Sequence, residues 1–278
     1  MKKGISIWSF AEPSLKKCFE LAKDAGFEGV ELALDEVGEI NLDSTREDME
    51  EIKAYAEEAG IELYSLASGL YWKYNYTAST SEIREKAKSI TRKQLQLAAW
   101  LGCKSILVVP GSVGVDFEPN SEVIEYDVAY ERCYEALKEL APVAEELQVE
   151  LCIENVFNKF LLSPLEMRDL IDKVNSPYVG AYFDVGNVLY CGYPEHWIKI
   201  LGNQIRKVHL KDFRRDICGM KGFVDILSGD VNFVAVKNML DKIGYQGWVT
   251  AEMLPPYKQY PETILYNTSN AMDKILGR

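Results

Sequence analysis

The sequence predicts a parallel eight-stranded (β/α)8 barrel, a single domain over residues 1–278. Three observations predict it. First, short apolar runs alternate with amphipathic stretches of helical period, eight of each, with no second block of composition. Strict alternation of this kind builds a parallel sheet with crossover helices. Second, the joints from helix to strand are short and alike, as in Asp24-Ala25-Gly26-Phe27, Glu58-Ala59-Gly60-Ile61, Leu101-Gly102-Cys103 and Lys242-Ile243-Gly244-Tyr245. A glycine stops each helix in the left-handed conformation and the strand starts at once. Third, the joints from strand to helix are longer and richer in aromatic and polar residues, over 68–80, 111–122, 155–163 and 211–230. Long loops at one end and tight joints at the other separate function from stability in such a barrel. A doubly wound open sheet is the alternative architecture.

The elements follow in order. Residues 4–9 read as the first strand, and 12–25 as a helix with Leu15, Phe19 and Ala22 on one face and Pro13 near its start. The second strand is 27–32. Ser44 or Thr45 caps a helix running to Gly60. Strand 61–67, helix 81–101, strand 104–109, helix 123–147 and strand 149–154 come next. Helix 164–174 precedes strand 179–184, and helix 195–201 precedes strand 205–209. Helix 231–243, strand 247–252 and helix 261–275 complete the set.

Composition narrows the class. The chain has 278 residues, 47% of them hydrophobic, enough for one large core. A formal charge of −12 would repel a nucleic-acid backbone. No apolar run is long enough to span a membrane. Met1-Lys2-Lys3 runs straight into Ile5-Ser6-Ile7-Trp8, unlike a signal peptide. The six cysteines are scattered with no CxxC pair, as reduced thiols of a cytoplasmic protein would be. No GxGxxG follows a strand, which argues against a dinucleotide cofactor, and neither a P-loop nor HExxH is present.

The last four strands carry the chemistry. Val149-Glu150-Leu151-Cys152-Ile153-Glu154, Val179-Gly180-Ala181-Tyr182-Phe183-Asp184 and Gly247-Trp248-Val249-Thr250-Ala251-Glu252 are apolar runs closed by an acid, and Ile205-Arg206-Lys207-Val208-His209 is closed by an imidazole. An unpaired buried charge is expensive, so such endings need a reason. One acid after a strand is ordinarily a solvated loop residue. Four such endings on consecutive parallel strands converge, and three carboxylates with one imidazole read as a divalent metal site. With only two histidines in the chain, the donor set favours a hard cation, Mn²⁺ first, then Mg²⁺, with Co²⁺ or Zn²⁺ compatible. Glu31 repeats the pattern on the second strand, either facing the cavity or pairing with a neighbouring base.

Over nearly the whole chain these motifs resemble the xylose-isomerase-like TIM barrels, particularly the sugar and sugar-phosphate isomerases and epimerases. The resemblance is carried by Ile153-Glu154-Asn155, Tyr182-Phe183-Asp184-Val185-Gly186-Asn187, Val208-His209-Leu210-Lys211-Asp212 and Thr250-Ala251-Glu252-Met253. It implies that Glu154, Asp184, His209 and Glu252 bind the metal and that Glu154 and Glu252 are also the two acid/base carboxylates. The Asp-x-Gly-Asn and His-x-Lys-Asp forms are similar to the branch of pentulose-5-phosphate 3-epimerases and hexulose-6-phosphate isomerases. In the free-ketose 3-epimerase branch a histidine follows the metal-binding aspartate by three residues. Asn187 stands there in this chain; it can hydrogen-bond a hydroxyl but cannot carry a proton. The resemblance also puts a substrate-touching arginine at Arg215, with Arg214 beside it.

The implied reaction acts on a ketose phosphate, foremost as a pentulose-5-phosphate 3-epimerase: it removes a proton next to the carbonyl and returns one to the other face, or moves it to the neighbouring carbon to isomerise aldose and ketose, by way of an enediolate. Lys211, Arg214 and Arg215 read either as a clamp for a terminal phosphate or as a solvated basic turn. Asn155 and Asn187 either bind substrate hydroxyls or tie loops, and Asp212 is expected to orient Lys211. Trp8 and the run Tyr71-Trp72-Lys73-Tyr74-Asn75-Tyr76 would wall a sugar ring, or pack on the rim or on a second copy in a homo-oligomer. Two other readings use the same barrel: a dehydratase or lyase on an inosose-like or glycoside substrate, told apart by loss of water, and a non-catalytic sugar-binding barrel, which has no need of two acids flanking a metal.

Overall fold

A computed structural model describes residues 1–118, 120–253 and 257–278. Its strands are β1 (Lys2–Ser6), β2 (Gly29–Leu34), β3 (Glu62–Ser68), β4 (Ser105–Val108), β5 (Glu150–Glu154), β6 (Val179–Asp184), β7 (Ile205–Leu210), the two-residue arms β8 (Asp212–Phe213) and β9 (Phe223–Val224), and β10 (Trp248–Ala251). The eight longer strands pair in parallel and close on themselves in the order β1-β10-β7-β6-β5-β4-β3-β2. β8 and β9 form a separate antiparallel hairpin over the end where the barrel strands finish. The helices are α1 (Leu15–Asp24), α2 (Arg46–Ala59), α3 (Ser81–Leu101), α4 (Tyr126–Leu147), α5 (Pro164–Val174), the single turn α6 (Val185–Val188), α7 (Pro194–Leu201), α8 (Phe233–Lys242) and α9 (Thr263–Leu276).

Local chemistry explains the boundaries. α2 starts on a capping box: the Thr45 hydroxyl accepts from the Asp48 N–H while the Asp48 carboxylate accepts from the Thr45 N–H. It stops at Gly60, and α3 stops at Gly102, with φ of 68° and 81° that only glycine adopts cheaply. The sequence places the first strand too far along. The ladder ends at Ser6, and Ile7–Ser9 turn into a 3-10 helix. The Ser9 hydroxyl there accepts the Met253 N–H at 2.9 Å, a contact made 244 residues away that no local pattern reveals.

The barrel interior is filled rather than hollow. Tyr64 stacks on Trp248 with ring centroids 3.9 Å apart, and its hydroxyl meets Thr250 at 2.8 Å. A Cβ on Gly4 would lie 2.2 Å from the Tyr64 hydroxyl, so β1 can pass this ring only with glycine there. Alternate positions along each strand point inward. Tyr182 and Asp184 therefore share one inward row, as do Thr250 and Glu252.

Candidate metal and sugar site

The four strand-end residues meet. β6 and β7 pair Asp184 with His209, while Glu154 pairs with Tyr182 two residues before Asp184 and Glu252 follows two residues after Thr250, the partner of His209. Ligand atoms of Glu154, Asp184, His209 and Glu252 all lie within 4.8 Å of one another, and all four residues are buried. His209 Nδ1 stands 3.2 Å from Glu154 Oε1, 3.1 Å from Glu252 Oε2 and 3.8 Å from Asp184 Oδ2. In the closed order β10-β7-β6-β5 the two glutamates are the outer pair, with His209 and Asp184 between them.

What lies beneath fixes the imidazole. His209 Nε2 is 2.9 Å from Glu31 Oε1, and the Tyr182 hydroxyl donates to the other oxygen of the same carboxylate. A carboxylate only accepts, so Nε2 donates to Glu31, which orients the ring with Nδ1 toward the three acids. Glu31 is thus the partner of a base, fully buried, rather than a cavity residue. The Gly186 backbone packs against Lys211, where a Cβ would come within 2.6 Å of the Lys211 Cβ, which accounts for the glycine in Asp-Val-Gly-Asn.

The cluster is short of positive charge. Lys211 Nζ reaches in to 2.6 Å from Glu252 Oε2 and 3.0 Å from Asp184 Oδ2. Asp184 Oδ2 is buried and still has no hydrogen bond of good geometry, an acceptor left for another cation. Burial drives the Glu154 carboxyl up, against the pull of His209 and Lys211. Burial pushes Glu252 the same way, but the charges of Lys211 and His209 outweigh it and hold Glu252 low. The imidazole is disfavoured as a cation by burial, yet Glu31 and Glu252 raise it well above its ordinary range. Three crowded carboxylates, one oriented imidazole nitrogen and an unsatisfied oxygen fit a divalent ion.

Above this cluster opens a cavity of about 310 Å³. Glu154 and Glu252 line it, whereas Asp184 and His209 lie below its floor. Trp8, Trp72, Asn187 and Lys211 line it too. Asn155 does not: its amide donates to the Asp184 carbonyl at 2.9 Å and accepts the Asp184 N–H at 2.9 Å, tying β5 to β6. Asn187 is tied as well, its amide donating to the Asn155 carbonyl at 2.9 Å. Arg214 and Arg215 stand outside the cavity. The Arg214 guanidinium donates to the Ser228 carbonyl, and that of Arg215 lies 4.9 Å from the centre of the Tyr193 ring. Asp212 does not orient Lys211; it accepts backbone N–H groups from Phe213, Gly229 and Val231 and knots the loop after β7. Phe117, Phe157 and Phe223 complete the aromatic wall; the sequence reading missed them, and the long loops that hold them were the only signal.

The description xylose isomerase-like TIM barrel matches residues 19–268. L-ribulose-5-phosphate 3-epimerase UlaE of Salmonella heidelberg (strain SL476) is 26% identical over 94% of this chain and 89% of its own. Inosose dehydratase of Geobacillus kaustophilus (strain HTA426) is 22% identical over 83% of this chain and 80% of its own. A solved structure of L-ribulose 3-epimerase superposes with a TM-score of 0.81 at 16% identity, covering 99% of this chain and 94% of that one. That last likeness is one of fold.

Proposed function

The chain belongs to the xylose isomerase-like TIM barrel family, and from that premise we propose a divalent-metal-dependent epimerase or isomerase of ketose sugars, of the 3-epimerase type. One observation carries the reading: of the four clustered donors, the two that open into the cavity are the outer pair of glutamates, Glu154 and Glu252. Only these can reach a substrate carbon, and they flank it from different strands.

Glu154, Asp184, His209 and Glu252 would hold the ion, Mn²⁺ by preference. It would polarise the ketose carbonyl and balance the charge of the enediolate. One glutamate takes the proton from the carbon beside the carbonyl. The other returns a proton to the opposite face, which inverts the centre. Glu31 holds the imidazole proton on Nε2, and the aromatic walls keep water from the reacting carbon. The UlaE relative makes a pentulose 5-phosphate one candidate substrate, and the free ketose is the other. The inosose dehydratase relative supports a second reading, in which the same acid pair expels a hydroxyl and the product is lighter by one water.

Turnover of a ketose in deuterated water by the Mn²⁺-loaded enzyme tests the mechanism. Solvent deuterium should appear at the inverted carbon of the product, while substrate recovered after the first turnovers stays unlabelled, because different groups take and return the proton. Inversion without label would overturn the mechanism in favour of carbon–carbon cleavage or a redox cofactor.

A further inference from the structure

We infer that the substrate of this site is an unphosphorylated ketose, with no charged group at its far end; the inference rests on the epimerase reading above. A phosphate monoester carries close to two negative charges at neutral pH and is held by arginine, lysine or the start of a helix. Among the described residues Lys211 is the one cation lining the cavity, and its ammonium is ion-paired with Glu252 at 2.6 Å and lies 3.0 Å from Asp184. Three carboxylates, one ammonium and one divalent ion leave no positive charge over for a dianion.

The rest of the wall offers no substitute. Away from the glutamates and Lys211 it is mostly apolar, with Trp8, Trp72, Phe117, Phe157 and Phe223 its aromatic faces and Ser68 and Asn187 its polar side chains. The Ser68 hydroxyl, also on the wall, already donates to the Leu34 carbonyl at 2.8 Å. The loop cations near the mouth lie outside the cavity lining, Lys221 among them, exposed beside Met220. Arg214 and Arg215 are turned outward as described, Lys73 is held by Glu36 at 2.6 Å, and Lys159 by Asp116 at 2.5 Å. The four residues outside the described set are Pro119, Leu254, Pro255 and Pro256, none of them basic. Flat aromatic faces suit the C–H surface of a sugar, and burying a phosphate against them would strip its water without return. Asn187 does not weigh against a free sugar. Its amide is engaged by the Asn155 carbonyl, so its place in Asp-Val-Gly-Asn is explained by loop geometry and not by the charge of the substrate.

The test is a set of free keto-pentoses and keto-hexoses, each run beside its terminal phosphate, on the Mn²⁺-loaded enzyme in deuterated water. For the best pair, kcat/KM of the free sugar should exceed that of its phosphate by at least about tenfold, the least that an unpaired like charge would cost. A phosphate ahead of its free sugar, with deuterium entering the product, overturns the inference and leaves the epimerase reading standing. No deuterium in either series removes the epimerase reading and this inference with it.

Discussion

The two halves of the barrel do different work. β5, β6, β7 and β10 deliver Glu154, Asp184, His209 and Glu252 to one point. β1 to β4 deliver no donor to it; the segments that follow them supply Trp8, Gly69, Trp72 and Val109 to the cavity wall. The donors sit at or beside strand ends, where the hydrogen-bonded sheet holds the backbone that carries them. The wall sits mainly on loops and short 3-10 turns, which can change without disturbing the sheet. The clustered donors thus come from the second half of the barrel, while the cavity wall draws on both, with Phe157, Met220 and Phe223 from the second half and Trp8, Trp72 and Phe117 from the first.

Three substitutions would break or sharpen that division. The largest effect belongs to Glu252→Gln, which keeps the shape and removes a base: turnover should fall at least ~100-fold, the low end of what one positioned acid/base group supplies. Activity near wild type would mean that the proton moves elsewhere. Next comes Glu31→Gln, a change in the first half that should be felt in the second. With the imidazole no longer held by a carboxylate, Mn²⁺ affinity should drop roughly 10- to 100-fold, read by competition with a metal-binding dye. Unchanged affinity would reduce Glu31 to packing. The smallest effect is expected from Trp72→Ala, where KM for the best sugar should rise by a few-fold, about 3 to 10, with kcat little altered, because the wall contributes binding felt equally by substrate and transition state. A fall in kcat as large as the rise in KM would bring the first half into the chemistry.

Much of this was legible before folding. An acid or histidine closing a buried apolar run is a local signal, and Glu154, Asp184, His209 and Glu252 each give it. The glycine stops at Gly60 and Gly102 are equally local. What stayed hidden depends on barrel closure. Glu31 and His209 are 178 residues apart, and only the closed sheet brings them to 2.9 Å. The family resemblance put a substrate-touching arginine at Arg215, but the segment between the arms of β8 and β9 leaves Arg214 and Arg215 exposed and outside the cavity lining, and arms of two residues are too short to show a strand pattern. Asp212 looked like a partner for Lys211 because it is adjacent in sequence; three backbone N–H groups from the folded loop claim it first.

The reach of Glu31 across the interior also bears on whether such a barrel can be taken apart. A fragment from residue 149 onward would inherit all four donors and the turn that seats Asp184. It would lose the carboxylate that Tyr182 and His209 share. The imidazole ring would then be free to flip, and either nitrogen could face the acids. The candidate metal centre is therefore not a module of the half that displays it. Any rearrangement that shuffles half-barrels must carry an acid at the position of Glu31, or the recipient gains the residues of the site without its poise.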